Sequence, residues 1–406
     1  MQDLWARCCA IALTFISLLI TGCSAVKSKP MADAPPSNSL TQFVYTIESN
    51  QVQAYAVTRD GSLMLVQSNA WSAHGFKDCM ATSKPQAAIY VCNYDSLPTS
   101  GPVTSTVALL PVRSDGTLGP PSFVDQSTVN HFRQPVEDSN GERALFPFQQ
   151  PCSPSTDPTG YPVICPVAAR VFALSAASPP QLLAIYNAFE ADFDGEYGGG
   201  QTTLIAAGTQ ADGSTTLWST STWMDHSGCN EELTRHWFAP ASTSSKDSVA
   251  GATGFQGIPC PGYAMSSTYF TQLDSVDSYG TSRLDLYQQG AGAGVLLAQG
   301  PACSLACSVR FLPNNHILVV DQSSASVYVQ NGSALQLLST VTLPASRSNG
   351  STINWSIGAM DQTGSAGVLV AGYRDLITFK VDSDSIALGA WLTTATPFSQ
   401  IATRSQ

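Results

Sequence analysis

Three features of the amino-acid sequence predict an all-β fold, and together they indicate a seven-bladed β-propeller. Short runs rich in Val, Ile, Leu, Tyr and Phe begin at Phe43 and alternate with turn residues to the end of the chain. No stretch of about twelve residues carries apolar side chains at helical spacing. Seven hairpin-like units recur in the 364 residues from Phe43 onward, about one every 52 residues, as expected for propeller blades.

Each recurring unit consists of a strand, a turn containing Gly, Asp or Asn, and a second strand rich in Leu or Val. Asp-Gly and Asn-Gly supply the positive φ angles that tight hairpins require, so each unit is predicted to be a hairpin. The units lie at residues 52–63, 107–118, 171–183, 204–213, 284–297, 327–332 and 377–384. Their spacing is uneven: the third and fourth are crowded, and the long interval after Gly213 predicts insertions.

Other segments predict the inner strands of the blades and the closure of the ring. The expected inner strand, turn and second strand occur twice, at residues 356–372 and 309–320. The first blade begins at its second strand, residues 43–47, so its inner strand must come from elsewhere. We expect the C-terminal residues 397–403 to supply it, because an open sheet edge leaves backbone groups unpaired.

The N-terminal segment predicts export from the cytoplasm. Arg7 precedes an apolar stretch, residues 10–20, which is about half as long as the ~20 residues of a membrane-spanning helix. Such a stretch is typical of the core of a signal peptide. It ends in Ile-Thr-Gly-Cys, with small residues immediately before Cys23.

This order of residues resembles the signal of bacterial lipoproteins, in which the cysteine thiol is acylated and the chain is cut before it. The resemblance implies a lipid such as palmitate on Cys23. Lipoproteins held at the inner membrane usually carry Asp after the cysteine, so Ser24 favours the outer membrane, with the protein facing the periplasm. An ordinary secretory leader with an incidental Cys23 is the alternative. The predicted organisation is a signal peptide at residues 1–22, a flexible tether rich in proline at 23–40, and a propeller domain at 41–406.

The charge of the chain limits its partners. Only 12% of the residues are charged and the net charge is −11, with no cluster of Lys and Arg in the predicted domain. Nucleic acids and anionic lipid surfaces require such clusters, so neither is expected as a partner. The expected partners are the membrane, through the lipid, and an envelope protein or glycan.

Eight cysteines remain outside the leader and the anchor, and an even number in an exported chain predicts four disulfides. Eight cysteines allow 105 pairings, and closeness along the chain favours one set. That set is Cys79–Cys92, Cys152–Cys165, Cys229–Cys260 and Cys303–Cys307. A metal or redox site at Cys303 and Cys307 is the alternative, but only His316 lies nearby and zinc sites usually carry two Cys or His pairs.

Tyr90-Val91-Cys92-Asn93 resembles the Leu-Tyr-Val-Ala-Asn signature of the second blade strand in the lactonase family, the 6-phosphogluconolactonase-like propellers. With the Asp-Gly-x-Leu hairpins at residues 60–63 and 115–118, it makes most of residues 43–403 similar to that family. The resemblance implies a seven-bladed ring and a hydrolase acting on a small sugar or organic-acid lactone. The chain departs from the family pattern in its insertions and its cysteines.

The densest acidic cluster runs from Glu190 through Asp192 and Asp194 to Glu196. Carboxylates at steps of two followed by Gly195 resemble the start of a calcium loop, because calcium prefers several oxygen ligands from a tightly turning backbone. The final bidentate Glu of such a loop is replaced by Gln201. We therefore also expect a simpler structure, an acidic loop between the third and fourth blades. No other cofactor is expected.

Lactonase chemistry requires a cation that polarises the carbonyl and a general base near the channel mouth. Glu231, Arg235 and His236 have suitable side chains and lie in the predicted insertion after the fourth hairpin, close to His226. The alternative is a polar loop closed by Cys229–Cys260. The absence of a Gly-x-Ser-x-Gly motif argues against the common serine hydrolase arrangement.

Three functions therefore remain open. The first is a non-catalytic binding or scaffold module, because propellers offer a broad rigid face and no catalytic set is evident. The second is a lactonase-like hydrolase, and the third is a calcium-dependent carbohydrate or peptide binder. Trp218, Trp223 and Trp237 have the side chains of a sugar or peptide groove, although packing between blades is the more frequent role of such residues.

Overall fold

A computed structural model describes the chain from residue 40 onward, with gaps. The described residues are 40–49, 51–58, 62–68, 76–94, 105–127, 130–138, 140–153, 163–195, 198–209, 213–225, 228–238, 244–253, 263–275, 281–290, 292–304, 307–345, 353–382 and 384–406. They all belong to one unit, residues 37–406. Cys23, the leader and the tether up to residue 39 lie outside the described residues, so the predicted lipid anchor stays a prediction.

Within these ranges the chain forms 29 strands, no α-helix and one short 3-10 turn, Pro313–Asn315. The first half contains β1 Leu40–Glu48, β2 Gln51–Thr58, β3 Leu63–Gln67, β4 Phe76–Thr82, β5 Ala88–Tyr94, β6 Ser105–Pro111, β7 Ser122–Ser127, β8 Asn130–Phe132, β9 Val136–Glu137, β10 Arg143–Gln149, β11 Val163–Ala173, β12 Gln181–Gly195, β13 Gly198–Thr209 and β14 Thr215–Asp225. No helix in the described part is long and apolar enough to cross a membrane.

The second half of the chain continues the same pattern of short strands. It contains β15 Gly228–Phe238, β16 Ser244–Thr253, β17 Tyr263–Met265, β18 Tyr269–Ser275, β19 Thr281–Gly290, β20 Gly292–Ser304, β21 Ser308–Phe311, β22 Ile317–Val320, β23 Ser324–Asn331, β24 Ala334–Thr342, β25 Trp355–Met360, β26 Ala366–Ala371, β27 Asp375–Asp382, β28 Ser385–Thr393 and β29 Phe398–Ser405. The predicted all-β class is confirmed.

The strands form five hydrogen-bonded sheets. Three are four-stranded: β29-β1-β2-β3, β4 to β7, and β25 to β28. A nine-stranded sheet contains β8 to β16, but its two halves pair only where residues 193–195 meet 198–200 at the β12–β13 turn. An eight-stranded sheet contains β17 to β24, and its halves are joined by the single bridge between Gln299 and Ala334. Each half resembles one of the four-stranded sheets in size and order.

The apolar core lies between neighbouring four-stranded units. Seven clusters of buried side chains are present in the described residues. In one of them Phe43 of β1 shares a cluster with Leu110 of β6, and in another Val44 of β1 shares a cluster with Val368 of β26. The first sheet is therefore covered on both faces, by the sheet that follows it and by the last sheet of the chain. This arrangement is propeller-like.

The C-terminal strand closes the first sheet, as the sequence predicts. β29 pairs antiparallel with β1, from Gln42 opposite Ser405 to Glu48 opposite Phe398. The buried amide of Gln42 donates to Thr403 Oγ1 at 2.6 Å, and the Thr403 hydroxyl donates to the carbonyl of Phe43 at 2.9 Å. The two ends of the domain are thus joined by a backbone ladder and by buried side-chain hydrogen bonds.

Three of the predicted disulfides are present: Cys79–Cys92, Cys152–Cys165 and Cys303–Cys307. Cys79 and Cys92 are direct partners on β4 and β5, so the bond links the first two strands of one sheet. Cys229 is also disulfide-bonded, and its predicted partner Cys260 lies outside the described residues.

The hairpin predictions are confirmed with one difference. Six of the seven predicted hairpins join the two outer strands of a four-stranded set, such as β2–β3 and β27–β28. The fourth hairpin, β13–β14, joins the two inner strands of its set instead. This explains the crowding of the third and fourth hairpins along the chain. Gly116 and Gly332 have the expected positive φ, 82° and 62°. A Cβ on Gly116 would overlap the ring of Phe43, so this turn also packs on the core.

Two sequence predictions are wrong. The predicted insertion after Gly213 contains strands, and residues 228–238 form β15 rather than a polar loop. Residues 190–195 likewise belong to β12 and are not an acidic loop. In both cases the strand carries buried polar side chains that find partners on nearby strands: Glu231 bonds to Thr220 of β14, and Asp192 accepts a hydrogen bond from the amide of Thr202 on β13. A search for alternating apolar residues therefore misses such strands.

Candidate functional site

A central channel is enclosed by the first strands of the four-stranded units. Its volume is about 510 Å³. The strands that contribute lining residues are β4, β9, β13, β17, β21, β25 and β29. Most of the wall is apolar, with residues such as Met80, Ile205 and Phe311. The polar side chains of the wall are therefore the candidates for binding a ligand.

Arg310 of β21 is a cationic side chain of this channel wall, which also carries Lys84, Glu137 and Asp361. Its Nη1 donates to the carbonyl of Val309 at 3.0 Å, and no ion pair joins it to a carboxylate in the described part of the chain. The side chain is accessible from the channel, yet protein atoms surround it closely, and this burial lowers the pKa of the guanidinium. Because the side chain is exposed to the channel, an anion that enters the channel can reach it.

Glu137 of β9 lines the same channel near one of its mouths. Its Oε2 accepts a hydrogen bond from the backbone N–H of Lys84 at 2.8 Å. Burial raises the pKa of this carboxyl, and the Lys84 amide and the nearby Ser83 hydroxyl offset part of the shift. Its Oε1 is buried without a hydrogen bond of normal geometry to the described residues. A carboxyl in this state is suited to accept or donate a proton.

A second cavity of about 860 Å³ continues from this mouth and runs between the strands β13 to β15 and β17 to β19; we call it the mouth cleft. It shares Lys84, Glu137 and Met265 with the channel. Trp218, Arg235, Trp237, Gly208, Ser266, Ser267 and Gln289 are among the residues that line only the cleft. The cleft and the channel adjoin each other, and concave surfaces of this kind are the default sites of ligand binding.

Arg235, one of the predicted catalytic residues, lies in the wall of the mouth cleft. Its guanidinium carbon stands 5.3 Å from the ring centre of Trp218 and 4.2 Å from that of Trp237. The side chain is buried between the two indoles, in the geometry of a cation–π interaction. Arg235 therefore lies in the wall of the cleft, beside the residues that the cleft shares with the channel. Its proposed catalytic role stays a prediction.

His236 faces the opposite side of the sheet, because successive residues of a strand point to opposite faces. Its Nε2 lies 2.8 Å from Ser219 Oγ and 3.7 Å from Glu190 Oε1, and its ring packs against Phe189. Ser219 is completely buried. In a catalytic triad the serine and the acid contact different ring nitrogens, whereas here both approach Nε2. In the contacts that the structure describes, the group therefore does not have the geometry of a triad.

Glu231, the third predicted catalytic residue, is buried on β15 and hydrogen-bonded to the Thr220 hydroxyl. Burial raises the pKa of its carboxyl to about 7. Glu231 does not belong to the lining of either cavity. The structure thus places Arg235 at the mouth and leaves Glu231 and His236 inside the packing between sheets.

The predicted calcium ligands occupy β12. The Asp192 carboxylate forms an ion pair with Arg133 and accepts a hydrogen bond from the Thr202 amide at 2.8 Å. Glu190 lies beside His236, and the side chain of Asp194 lies outside the described residues. In the part of the chain that the structure describes, no three His, Cys, Asp or Glu side chains group as metal ligands. Calcium binding at these residues stays a prediction.

Sequence reasoning overlooked Arg310 and Glu137. Arg310 lies in the segment 309–320, which the sequence predicts to contain an inner strand and the second strand of the same blade. A search of the predicted inner strands for charged residues therefore finds it. Glu137 belongs to a two-residue strand without any pattern, and only the fold places it at the channel.

No protein-family model matches the sequence. No curated protein matches it either. Among solved structures, the chain is similar to the periplasmic gluconolactonase of Pseudomonas aeruginosa, at 12% identity and a TM-score of 0.49, over 90% of this chain and 99% of that one. It is also similar to a putative 6-phosphogluconolactonase from Bacteroides uniformis, at 9% identity and a TM-score of 0.48, over 90% and 99% of the two chains. Likenesses this low do not support a function.

Proposed function

We propose that this protein is a lipid-anchored, seven-bladed β-propeller of the cell envelope that binds a small organic anion in its central channel. The count of seven treats the nine-stranded and eight-stranded sheets as two blades each, since their halves meet only at one turn and at one bridge. Seven buried clusters between units and seven strands around the channel support this count.

The observation that carries the proposed ligand class is Arg310. Its guanidinium lines the channel and forms no ion pair with a carboxylate among the described residues. Hydrogen bonds between a guanidinium and a carboxylate or phosphate are charge-assisted and often bidentate, so they are roughly twice as strong as neutral ones. The apolar wall suits the carbon skeleton of such a ligand. The expected ligand is a carboxylate or phosphate ester of a small organic molecule.

Substituting Arg310 tests the proposal. We expect the full-length protein in detergent to bind at least one of gluconate, 6-phosphogluconate and citrate in isothermal titration calorimetry. Arg310→Gln should weaken that binding at least tenfold, because a lost charge-assisted hydrogen bond is worth about 1.5–3 kcal/mol. Arg113→Gln, which changes an exposed arginine in a hairpin turn, should leave the affinity unchanged. Equal affinities of the two variants, or no anion binding at all, would contradict the proposal.

A lactonase-like hydrolase is the second candidate, and the observation that favours it is the presence of Glu137 and Arg310 in one cavity. A carboxylate can act as general base on water while a guanidinium stabilises the oxyanion that forms at a lactone carbonyl. Turnover of gluconolactone that is lost in Glu137→Gln would favour this function. Binding of the product acid without turnover would favour the non-catalytic module.

The lipid anchor is a separate part of the proposal. In cells grown with labelled palmitate, we expect the full-length chain to incorporate the label and to sediment with the outer membrane. Cys23→Ala should lose the label, because it removes the residue predicted to carry the lipid. Without that lipid the protein should leave the outer-membrane fraction, since stable anchoring needs several acyl chains. Cys8→Ala, which changes a leader cysteine, is the matched control and should behave as the natural chain. Labelling that survives Cys23→Ala would exclude this anchor.

A further inference from the structure

The mouth cleft contains an aromatic platform that the proposed anion site does not use. Trp237 is half-buried and lines the cleft. The guanidinium of Arg235 stacks on it at 4.2 Å, and Trp218 supports Arg235 from the other side at 5.3 Å. Because the neighbouring strands β14 and β16 hold β15 on both edges, the indole is presented on a rigid element. Rigid aromatic platforms contribute large contact area at a low entropy cost.

The floor next to this platform is open. Gly208 of β13 lines the cleft, and a Cβ placed on it would meet no atom within 4 Å. Thr209, Ser214 and Thr216 continue the lining with small polar side chains. The space above the β13–β14 hairpin therefore admits a ligand that lies flat against the sheet.

Blade residues on the other side of the cleft offer hydrogen-bonding groups. The Gln289 amide nitrogen donates to the carbonyl of Ser266 at 2.8 Å and to that of Tyr269 at 3.4 Å. These bonds hold the amide nitrogen of a side chain that lines the cleft, and its carbonyl oxygen adds an acceptor to the lining. Ser266 and Ser267, in the turn after β17, line the same side.

From this combination we infer that the mouth cleft binds a neutral oligosaccharide. A pyranose ring has an apolar C–H face that stacks on an indole, and its hydroxyl groups lie at the edge where hydroxyl and amide side chains reach them. The volume of about 860 Å³ lies within the usual range for ligand sites. An extended peptide is a poorer match, because it usually adds to a free strand edge and both edges of β15 are already paired.

Titration of the full-length protein in detergent with neutral oligosaccharides tests the inference. The probes are chitotetraose, cellotetraose and maltotetraose, extended by an array of neutral glycans. We expect saturable binding of at least one of them in calorimetry. Trp237→Ala, which removes the platform, should weaken it at least tenfold. Gly208→Phe should do the same, because its Cβ meets no neighbouring atom and its ring occupies space in the cleft that the glycine leaves open.

Two control variants make the test specific. Trp391→Ala removes an indole on the outer strand β28, and Gln201→Phe adds a ring to an exposed position at the other end of β13. Both should bind the saccharide as the natural chain does, and so should Arg310→Gln. The inference is wrong if no neutral glycan binds, or if Trp237→Ala and Gly208→Phe, with unchanged circular dichroism, bind normally. Loss of binding in Arg310→Gln alone would place the saccharide in the channel and would also overturn it.

Discussion

Deleting residues 397–406 is expected to abolish the cooperative unfolding transition of the domain. The deletion removes β29, which pairs with β1 over its whole length and buries Phe398, Ala402 and Thr403. Losing the Phe398 side chain alone costs about 3 kcal/mol or more. The deletion also leaves the buried amide of Gln42 without Thr403 and exposes the backbone of β1 as an open edge. These losses are comparable to the whole stability of many domains, about 5–15 kcal/mol.

A circular rearrangement is the matched control for this deletion. Ser405 lies opposite Gln42, so the end of β29 is adjacent to the start of β1. Placing residues 397–406 ahead of residue 40, through a two-residue Asn-Gly link, should therefore restore β29 as half of a hairpin. Differential scanning calorimetry should show one cooperative transition for the rearranged chain and none for the deletion. A deletion variant that melts within a few degrees of the natural chain would mean that the ring does not depend on this closure.

Replacing Glu231 by Gln is expected to remove a pH dependence from the stability of the domain. Burial raises the pKa of this carboxyl from 4.5 to about 7 in the folded state. Between these two values the unfolded chain releases the proton while the folded chain keeps it, so the free energy of unfolding falls as the pH rises. The full shift corresponds to about 3 kcal/mol, lost between pH 4.5 and about pH 7.

Urea unfolding at pH 5 and pH 8 measures this effect. Glu231→Gln keeps the size of the side chain and its bond to Thr220 but carries no charge. We expect it to match the natural chain at pH 5 and to be more stable by about 2–3 kcal/mol at pH 8. Glu232→Gln changes the adjacent, half-buried carboxyl and should show no such gain at pH 8. An equal response of the two variants would mean that burial does not raise the pKa of the Glu231 carboxyl in the folded protein.

The features of the fold that depend on short stretches of chain were predictable. Gly116 and Gly332 adopt the positive φ that their Asp-Gly and Asn-Gly turns require, so the hairpins formed where the sequence indicated. Cys79–Cys92 and Cys303–Cys307 join cysteines close in the chain, as expected from their separation. The closure by β29 followed from a missing strand in the first sheet, because an incomplete sheet needs a partner.

The candidate site was much less predictable. Glu231, Arg235 and His236 are neighbours in the sequence, but strand geometry sends Arg235 into the mouth cleft and His236 into the opposite interface. The channel is assembled from strands hundreds of residues apart, so Glu137 and Arg310 meet in one cavity without any shared motif. Polar strands such as β15 carry no alternating signal, because polar residues on both of their faces are buried, among them Glu231 and His236.

By itself, the sequence determined the all-β class, the hairpins, three of the disulfides and the strand that closes the ring, because turns, short loops and a missing edge partner are properties of local chain geometry. Only the tertiary structure decided which charges face the channel and which are buried between sheets. Burial, pKa and accessibility depend on the surfaces that other blades provide, and no local pattern of residues encodes those surfaces.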